Sequence, residues 1–451
     1  MQEEYLALKT NHTWDLVLPA TPVKIVGNKW VFRVKYNSDG LVSRYKAKLV
    51  AKGFHQTHGI NYTETFSPMV KSSTVRVILS LAVLNHWVVR KVDVNNVFLN
   101  GILIEDVYMA QPQGFVDSTK STHICKLNKA LYGLKQAPRA WFDRFKDAMI
   151  SKWHFQHSRS DNSLFYAWNI GHLTIILVYV DDIIITGSSP SMIQQVIQNM
   201  HQAFALKDLG ELHYFLGIEV SKSSQGISLT QAKYIIDIMD KHGMTDCSPM
   251  PTPMSTGYYL TKDSGEPIEN VSQYRSVIGA LQYACDHDDG KSMAGFAVYL
   301  GPNLVSWSSK KQAVVSRSST KAEHRSLGHA ASEVTWIKSL LGELSIKLSY
   351  TPMMWCDNQG AIALAYNPVY HAKTKHVELD IHFIRDKVTA KEVAVCYVPS
   401  QDQTVDVLTK ALTFKQFSYF RSKVNVHPKR FSLRGDVSEL DEAGAEHDVV
   451  V

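Results

Sequence analysis

Two adjacent acids, Asp181 and Asp182, interrupt an apolar stretch. Residues 173–180 read LTIILVYV before them, and Ile183, Ile184, Ile185 and Thr186 follow. Both flanks have the length and β-branched content of buried strands, so the pair lies at the tip of a hairpin. Two carboxylates confined there repel each other, and burial disfavours their charge. A divalent cation resolves the conflict, and hard oxygen ligands suit magnesium. The alternative is a solvated Asp-Asp turn. A third acid, Asp93, follows another strand-like run at 87–92 and precedes Val94-Asn95-Asn96-Val97-Phe98-Leu99. Taken alone, Asp93 reads as an ordinary strand-end acid.

The elements that must carry these acids can be read from pattern. Residues 29–36 and 41–52 alternate as strands around Asn37-Ser38-Asp39-Gly40, a hairpin signal. Helical spacing occurs at 74–84, 141–152, 191–204 and 232–242, and strands are expected at 161–186, 212–220 and 226–229. Three prolines at 249, 251 and 253 and glycines at 257 and 265 mark a linker. Beyond Gly295, strands are expected at 296–300, 304–308, 314–318, 353–356 and 393–398. Helices are expected at 320–341, 358–366 and 376–389.

Composition sets the limits. A chain of 451 residues, 45% hydrophobic and 20% charged, is long enough for about three domains with ample core. The formal charge is only +6, but residues 24–52 hold eight basic side chains against the single acid Asp39. That is either a phosphate footprint or a solvated sheet face. Five scattered cysteines, odd in number and without a CxxC, argue for a reducing compartment. The start, MQEEYLALKT, is acidic and lacks an apolar core, unlike a signal peptide. No apolar run approaches the length of about 20 residues needed to cross a bilayer. A cytoplasmic or nuclear location, away from membranes, is expected.

Five motifs occur in one order: VDVNNVFLNG (92–101), VYMAQPQGF (107–115), KALYGLKQAPRAWF (129–142), LVYVDDIIITG (177–187) and KDLGELHYFLGIEV (207–220). Over residues 14–283 the chain resembles the copia-type retrotransposon reverse transcriptase. The resemblance implies an α+β right-hand polymerase. Fingers and palm would occupy residues 1–245, with a linker and truncated thumb or connection at 246–290. It implies that Asp93, Asp181 and Asp182 are the catalytic, metal-holding acids, with two magnesium ions (or manganese) as cofactor. Phe98 matches the aromatic that selects deoxyribose, against the alternative of a palm-core ring. Tyr132 and Gly133 match the segment beside the incoming nucleotide, and Lys46, Lys48 and Lys52 are candidates for triphosphate and template contacts. Leu212, Tyr214, Phe215, Leu216 and Gly217 match the hairpin that seats the primer end. The implied partners are RNA or DNA template, primer and deoxynucleoside triphosphates.

Residues 291–424 resemble the ribonuclease H domain of the same polyproteins, through VSWSSKKQ (305–312), WCDNQGAIALA (355–365) and KTKHVELDIHFIR (373–385). Glu323, Asp357 and Asp406 match three of its four acids. The first acid and its central strand are missing where GALQYAC (279–285) passes straight to DHDDGKSMAGF (286–296). Lys321 stands where the family usually has an acid, and His324 where it has an aromatic. Loss of hybrid cleavage is therefore expected, unless residues 281–286 slip into the vacant strand and offer Asp286. Residues 436–451 hold six acids and no Lys or Arg, the composition of a disordered tail. The expected activity is RNA-directed DNA synthesis. The alternative is a catalytically silent retroelement remnant that at most binds nucleic acid.

Overall fold

The computed structural model describes residues 1–19, 23–36, 41–223, 226–254, 268–280, 290–316, 318–367 and 378–427. Residues 37–40, 281–286 and 436–451, on which three of the expectations fall, lie outside them. Two compact units divide the chain: Met1–His213 with Thr335–Ser349, and Tyr214–Val334 with Tyr350–Val451. The first boundary falls about thirty residues before the expected polymerase limit at 245.

The first unit is built on a six-stranded antiparallel sheet. Its order is Leu206–Glu211, Val88–Val94, Asp182–Gly187, His172–Tyr179, Leu164–Asn169, Gln156–His157. The two central strands are apolar on both faces, so both faces must be covered. Ile176, Val178, Ile183 and Ile185 enter one cluster with Trp141 and Phe145 of helix Ala137–Asp147 and Ile193 and Ile197 of helix Pro190–Ala203. The latter helix starts cleanly: Ser189 accepts the Met192 N–H, and Pro190 fills the first position, where no amide donor is needed. Its buried residues Ile193, Ile197 and Met200 follow the i, i+4, i+7 spacing of a one-sided helix.

A four-stranded sheet, Trp14–Val17, Ile124–Lys129, Ile102–Met109, Ile25–Val26, carries a second cluster with Leu49, Leu127 and Leu131. Beside it stands the long hairpin Asn28–Tyr36 with Val42–Ala51, in which Arg33 faces Lys46 and Lys35 faces Arg44. Helix Gln2–Thr10 was not expected from the sequence. It buries only Leu8, too little for an apolar period to stand out.

In the second unit, a three-stranded sheet of Tyr214–Phe215, Ile218–Ser223 and Gly226–Thr230 precedes helices Ala232–Lys241 and Val271–Ala280. The strand expected at 212–220 is broken by Leu216 (φ +51°) and Gly217 (φ +80°), the two-residue loop of a tight hairpin. Further on lie two separate two-stranded sheets, Met293–Leu300 with Asn303–Lys311 and the parallel pair Met353–Cys356 with Ala394–Tyr397. The strand expected at 314–318 does not form among its described residues. Ser316 Oγ donates to Gln312 Oε1, and Arg325 Nη1 donates to both side chains. Helices Ser319–Glu343, Gln359–Tyr366 and Glu378–Thr389 form where the apolar period places them.

Candidate active site

Sheet register brings the three acids together. Asp93, on strand Val88–Val94, is the direct partner of Asp182 on the neighbouring antiparallel strand. Opposed residues in such a ladder have Cα atoms about 4.5–5.5 Å apart. Tyr179 pairs with Asp182, which leaves Val180 and Asp181 as a two-residue hairpin loop. Val180 has φ +53°, a region that costs a β-branched residue about 1–2 kcal/mol. Two hydrogen bonds hold the strained tip. Trp141 Nε1 donates to the Val180 carbonyl at 2.8 Å, and the Val94 N–H donates to the Asp181 carbonyl at 3.0 Å.

The carboxylates feel one another. Burial, then Asp181 and Asp182, push the Asp93 carboxyl above the usual aspartate range. Asp182 has a cation of its own: Lys91 Nζ lies 2.8 Å from its Oδ1. Asp93 and Asp181 instead front an open cavity of about 620 Å³, whose opposite wall carries Arg33, Lys35, Arg44, Lys46 and Lys48. Those five side chains are the inward-facing set of the hairpin, alternating along each strand. Burial and the neighbouring Lys46 lower the pKa of Lys48, while Glu4 and Asp181 oppose them.

The other expected residues divide. Tyr132 lines the cavity, with Lys48 Nζ 3.6 Å above its ring. Phe98 stands behind it, edge-on at 4.6 Å between ring centroids, half-buried against both cores. Gly133, at φ +91°, is where the Tyr132 segment crosses the hairpin: a Cβ there would meet the Ala51 carbonyl at 2.1 Å. Its place is one of close backbone approach. Lys52 is not among the lining residues; its chain runs against Gly27 and its N–H donates to the Gly27 carbonyl. Leu212 is buried and its N–H donates to Val89 O, whereas Phe215 is buried and Tyr214 is exposed. Sequence reading missed Lys91, Asn95, Asn96 and Lys207. The two-residue alternation of strand Val88–Val94 puts Lys91 on the face of Asp93 and was the available signal.

A second acidic group lies in the other unit. Glu323, Cys356 and Asp357 offer ligand atoms within 4.8 Å of one another. Burial, then Asp357, raises the Glu323 pKa, and burial lifts the Cys356 thiol to about 11. Asp406, expected in the same set, also acts on Glu323; burial and Asp357 raise its own pKa, against Lys410, whose Nζ meets its carboxylate at 2.8 Å. Among the described residues no helix is long and apolar enough to cross a membrane.

The family profile described as reverse transcriptase (RNA-dependent DNA polymerase) matches residues 11–256, and the chain belongs to that family. Within it, the similarity is to copia-type retrotransposon Pol polyproteins. The chain is 41% identical to the Retrovirus-related Pol polyprotein from transposon RE1 of Arabidopsis thaliana, over 94% of its length. It is 31% identical to that from transposon TNT 1-94 of Nicotiana tabacum, over 95%. The chain spans 33% and 37% of these relatives, about a third of each. A foamy viral protease-reverse transcriptase solved with an RNA/DNA hybrid aligns over 97% of this chain and 55% of its own, at 11% identity. Its TM-score of 0.38 is too low to support any detail.

Proposed function

We propose that the Met1–His213 unit joins deoxynucleotides to a primer end under the direction of an RNA or DNA template. One observation carries this reading: Asp93 and Asp181 share a cavity with five basic side chains of the facing hairpin. Anionic oxygen donors on one wall and cations on the other match a nucleoside triphosphate bound through divalent metal.

The residues fit such a metal. Asp93 is held above the aspartate range by burial and by its acidic neighbours, and the donors are hard oxygens. Asp93 and Asp181 would hold magnesium or manganese, with Asp182 as the third acid. When bound, a pair of such ions activates the primer 3′-hydroxyl and neutralises the departing pyrophosphate. The protein's own groups do the rest. Lys46, Lys48 and Arg33 receive the triphosphate oxygens. Tyr132 gives the nucleotide a flat wall, and Phe98 fixes that wall from behind. A ring set against the sugar leaves no room for a 2′-hydroxyl. Leu212, near the end of this unit, opens the segment that the resemblance assigns to seating the primer end. Hybrid cleavage by the second unit is not part of this reading, since the first acid of the resemblance and its strand are missing from the sequence.

Primer extension on RNA and DNA templates, with magnesium or manganese, tests it. The wild-type chain should extend, and Asp181→Asn should not, with template affinity nearly unchanged. A wild-type chain that extends nothing sinks the proposal. A steep fall of template affinity with salt would then identify a silent nucleic-acid binder.

A further inference from the structure

Lys91 and Asp182 form an ion pair that the three-acid reading does not require. Lys91 precedes Asp93 by two residues, so both project from one face of their strand, and Asp182 sits directly opposite Asp93 on that face. The ammonium meets Asp182 Oδ1 at 2.8 Å, with the two side chains 12% and 28% exposed. A pair this far from water is weakly screened by salt. Arg90, one residue earlier, points the other way and latches Asp208 at 2.6 Å. The adjacent basic residues therefore serve different acids on opposite faces. The cavity wall completes the picture: Asp93 and Asp181 line it, while Asp182 and Lys91 do not.

We propose that Lys91 is a positioning residue which holds Asp182 back from the cavity, so that the nucleotide-free protein takes a divalent cation on Asp93 and Asp181 alone. This rests on the polymerase reading above. The ammonium supplies the counter-charge that three clustered carboxylates need, and it does so without closing the cavity to nucleotide. Removing that charge leaves Asp182 unpaired and adds a third carboxylate to the cation's field. At an effective dielectric near 20, losing one positive charge a few ångströms away strengthens cation binding by about tenfold or more.

Manganese titration of the full chain tests this, with no nucleotide or nucleic acid present and free ion read by electron paramagnetic resonance. Lys91→Met should bind manganese at least tenfold more tightly than wild type, by the same estimate. Lys91→Arg should match wild type, and Asp182→Asn added to Lys91→Met should cancel the gain. Asp182→Asn alone, an isosteric change that does not depend on Lys91→Met folding, leaves the Lys91 ammonium uncompensated and should weaken manganese binding by a similar factor, far less than Asp181→Asn does. Equal or weaker binding by Lys91→Met, or a loss in Asp182→Asn as large as in Asp181→Asn, overturns the inference. Asp181→Asn separates the two levels. If it leaves manganese binding untouched, the metal-site reading itself fails. If it abolishes binding and Asp182→Asn does so too, only the role of Lys91 falls.

Discussion

Lys48 Nζ lies 3.6 Å above the centre of the Tyr132 ring, on the cavity wall that faces Asp93 and Asp181. The ring gives a half-buried ammonium a partner without using up its hydrogen-bond donors, which leaves them for an incoming anion. Lys48→Gln should raise the nucleotide KM by about tenfold, the cost of one charge-assisted contact, with a smaller effect on kcat. Tyr132→Phe keeps the ring and should stay near wild type, whereas Tyr132→Ala should resemble Lys48→Gln. Burial and Lys46 lower the Lys48 pKa, so its charge is lost at lower pH than that of an ordinary lysine. The KM should therefore rise on the alkaline side, and Lys48→Gln should remove that limb. Single-nucleotide incorporation across pH reads both effects, and a KM within twofold of wild type would end the assignment.

Phe98 does not line the cavity but meets the Tyr132 ring edge-on at 4.6 Å. If it fixes that ring against the sugar, Phe98→Val should relax discrimination against ribonucleotides by tenfold or more, about the effect of reshaping a pocket by a few carbons. Competition between deoxy- and ribonucleoside triphosphates measures this. Unchanged selectivity combined with lower stability would reduce Phe98 to a packing residue.

Gly133 and Gly171 have similar backbone angles, φ +91° and +76°, yet a Cβ at Gly133 would sit 2.1 Å from the Ala51 carbonyl and one at Gly171 would meet nothing within 4 Å. Gly171→Ala should cost about 1 kcal/mol, from conformation alone. Gly133→Ala must also push two backbone segments apart and should cost about 3 kcal/mol or more, with loss of soluble protein. Chemical denaturation of both variants checks the difference. Equal costs would mean that the crossing yields more easily than its geometry suggests.

Much of the six-stranded sheet was legible in the sequence. The hairpin around Asp181 declared itself because its flanks are apolar on both faces, which pushes an acid pair to the strand end: Asp181 takes the loop and Asp182 the first position of the strand ladder. The hairpin facing it was equally plain from alternation, but the sequence showed only a run of eight basic residues, and strand pairing selects Arg33, Lys35, Arg44, Lys46 and Lys48 from it. Which lysine reaches the cavity was not legible. Lys46 and Lys48 face it, but Lys52 lies past the strand end, where the two-residue period no longer applies. Lys91 was hidden for another reason. Its partner is 91 residues away, and only strand register places the two side by side.

Asp161 is buried and gathers donors from two segments: the Lys71 N–H, Thr74 Oγ1, and the Ser163 N–H and Oγ. It thereby ties the start of helix Ser72–Leu84 to the sheet strand Leu164–Asn169. Asp161→Ala leaves four donors without their acceptor in a dry place and should cost about 3 kcal/mol or more. Asp161→Asn keeps the shape but turns one acceptor into a donor, so it should recover little. Hydrogen exchange should rise across residues 71–84 in both variants. A stability change under 1 kcal/mol for Asp161→Ala would contradict this network's weight.

His324 gives the second unit a measurable acid sensitivity. Its side chain is fully buried on helix Ser319–Glu343, and neither ring nitrogen has a hydrogen-bond partner. Burial, with Arg385 nearby, lowers its pKa from 6.5 to about 4. The folded state therefore refuses a proton that the unfolded chain accepts below about 6.5. Stability is complete above that value and falls as pH drops toward 4, by about 3 kcal/mol over the window, then levels off as far as this group is concerned. His324→Phe removes both the titration and the unsatisfied nitrogens. It should match or exceed wild-type stability at pH 7 and lose less than wild type between pH 6.5 and 4. Hydrogen exchange of residues 319–334, followed across that pH range in the full chain, isolates the effect from the first unit. If wild type and His324→Phe lose protection in parallel as the solution is acidified, His324 is not the group that senses the proton.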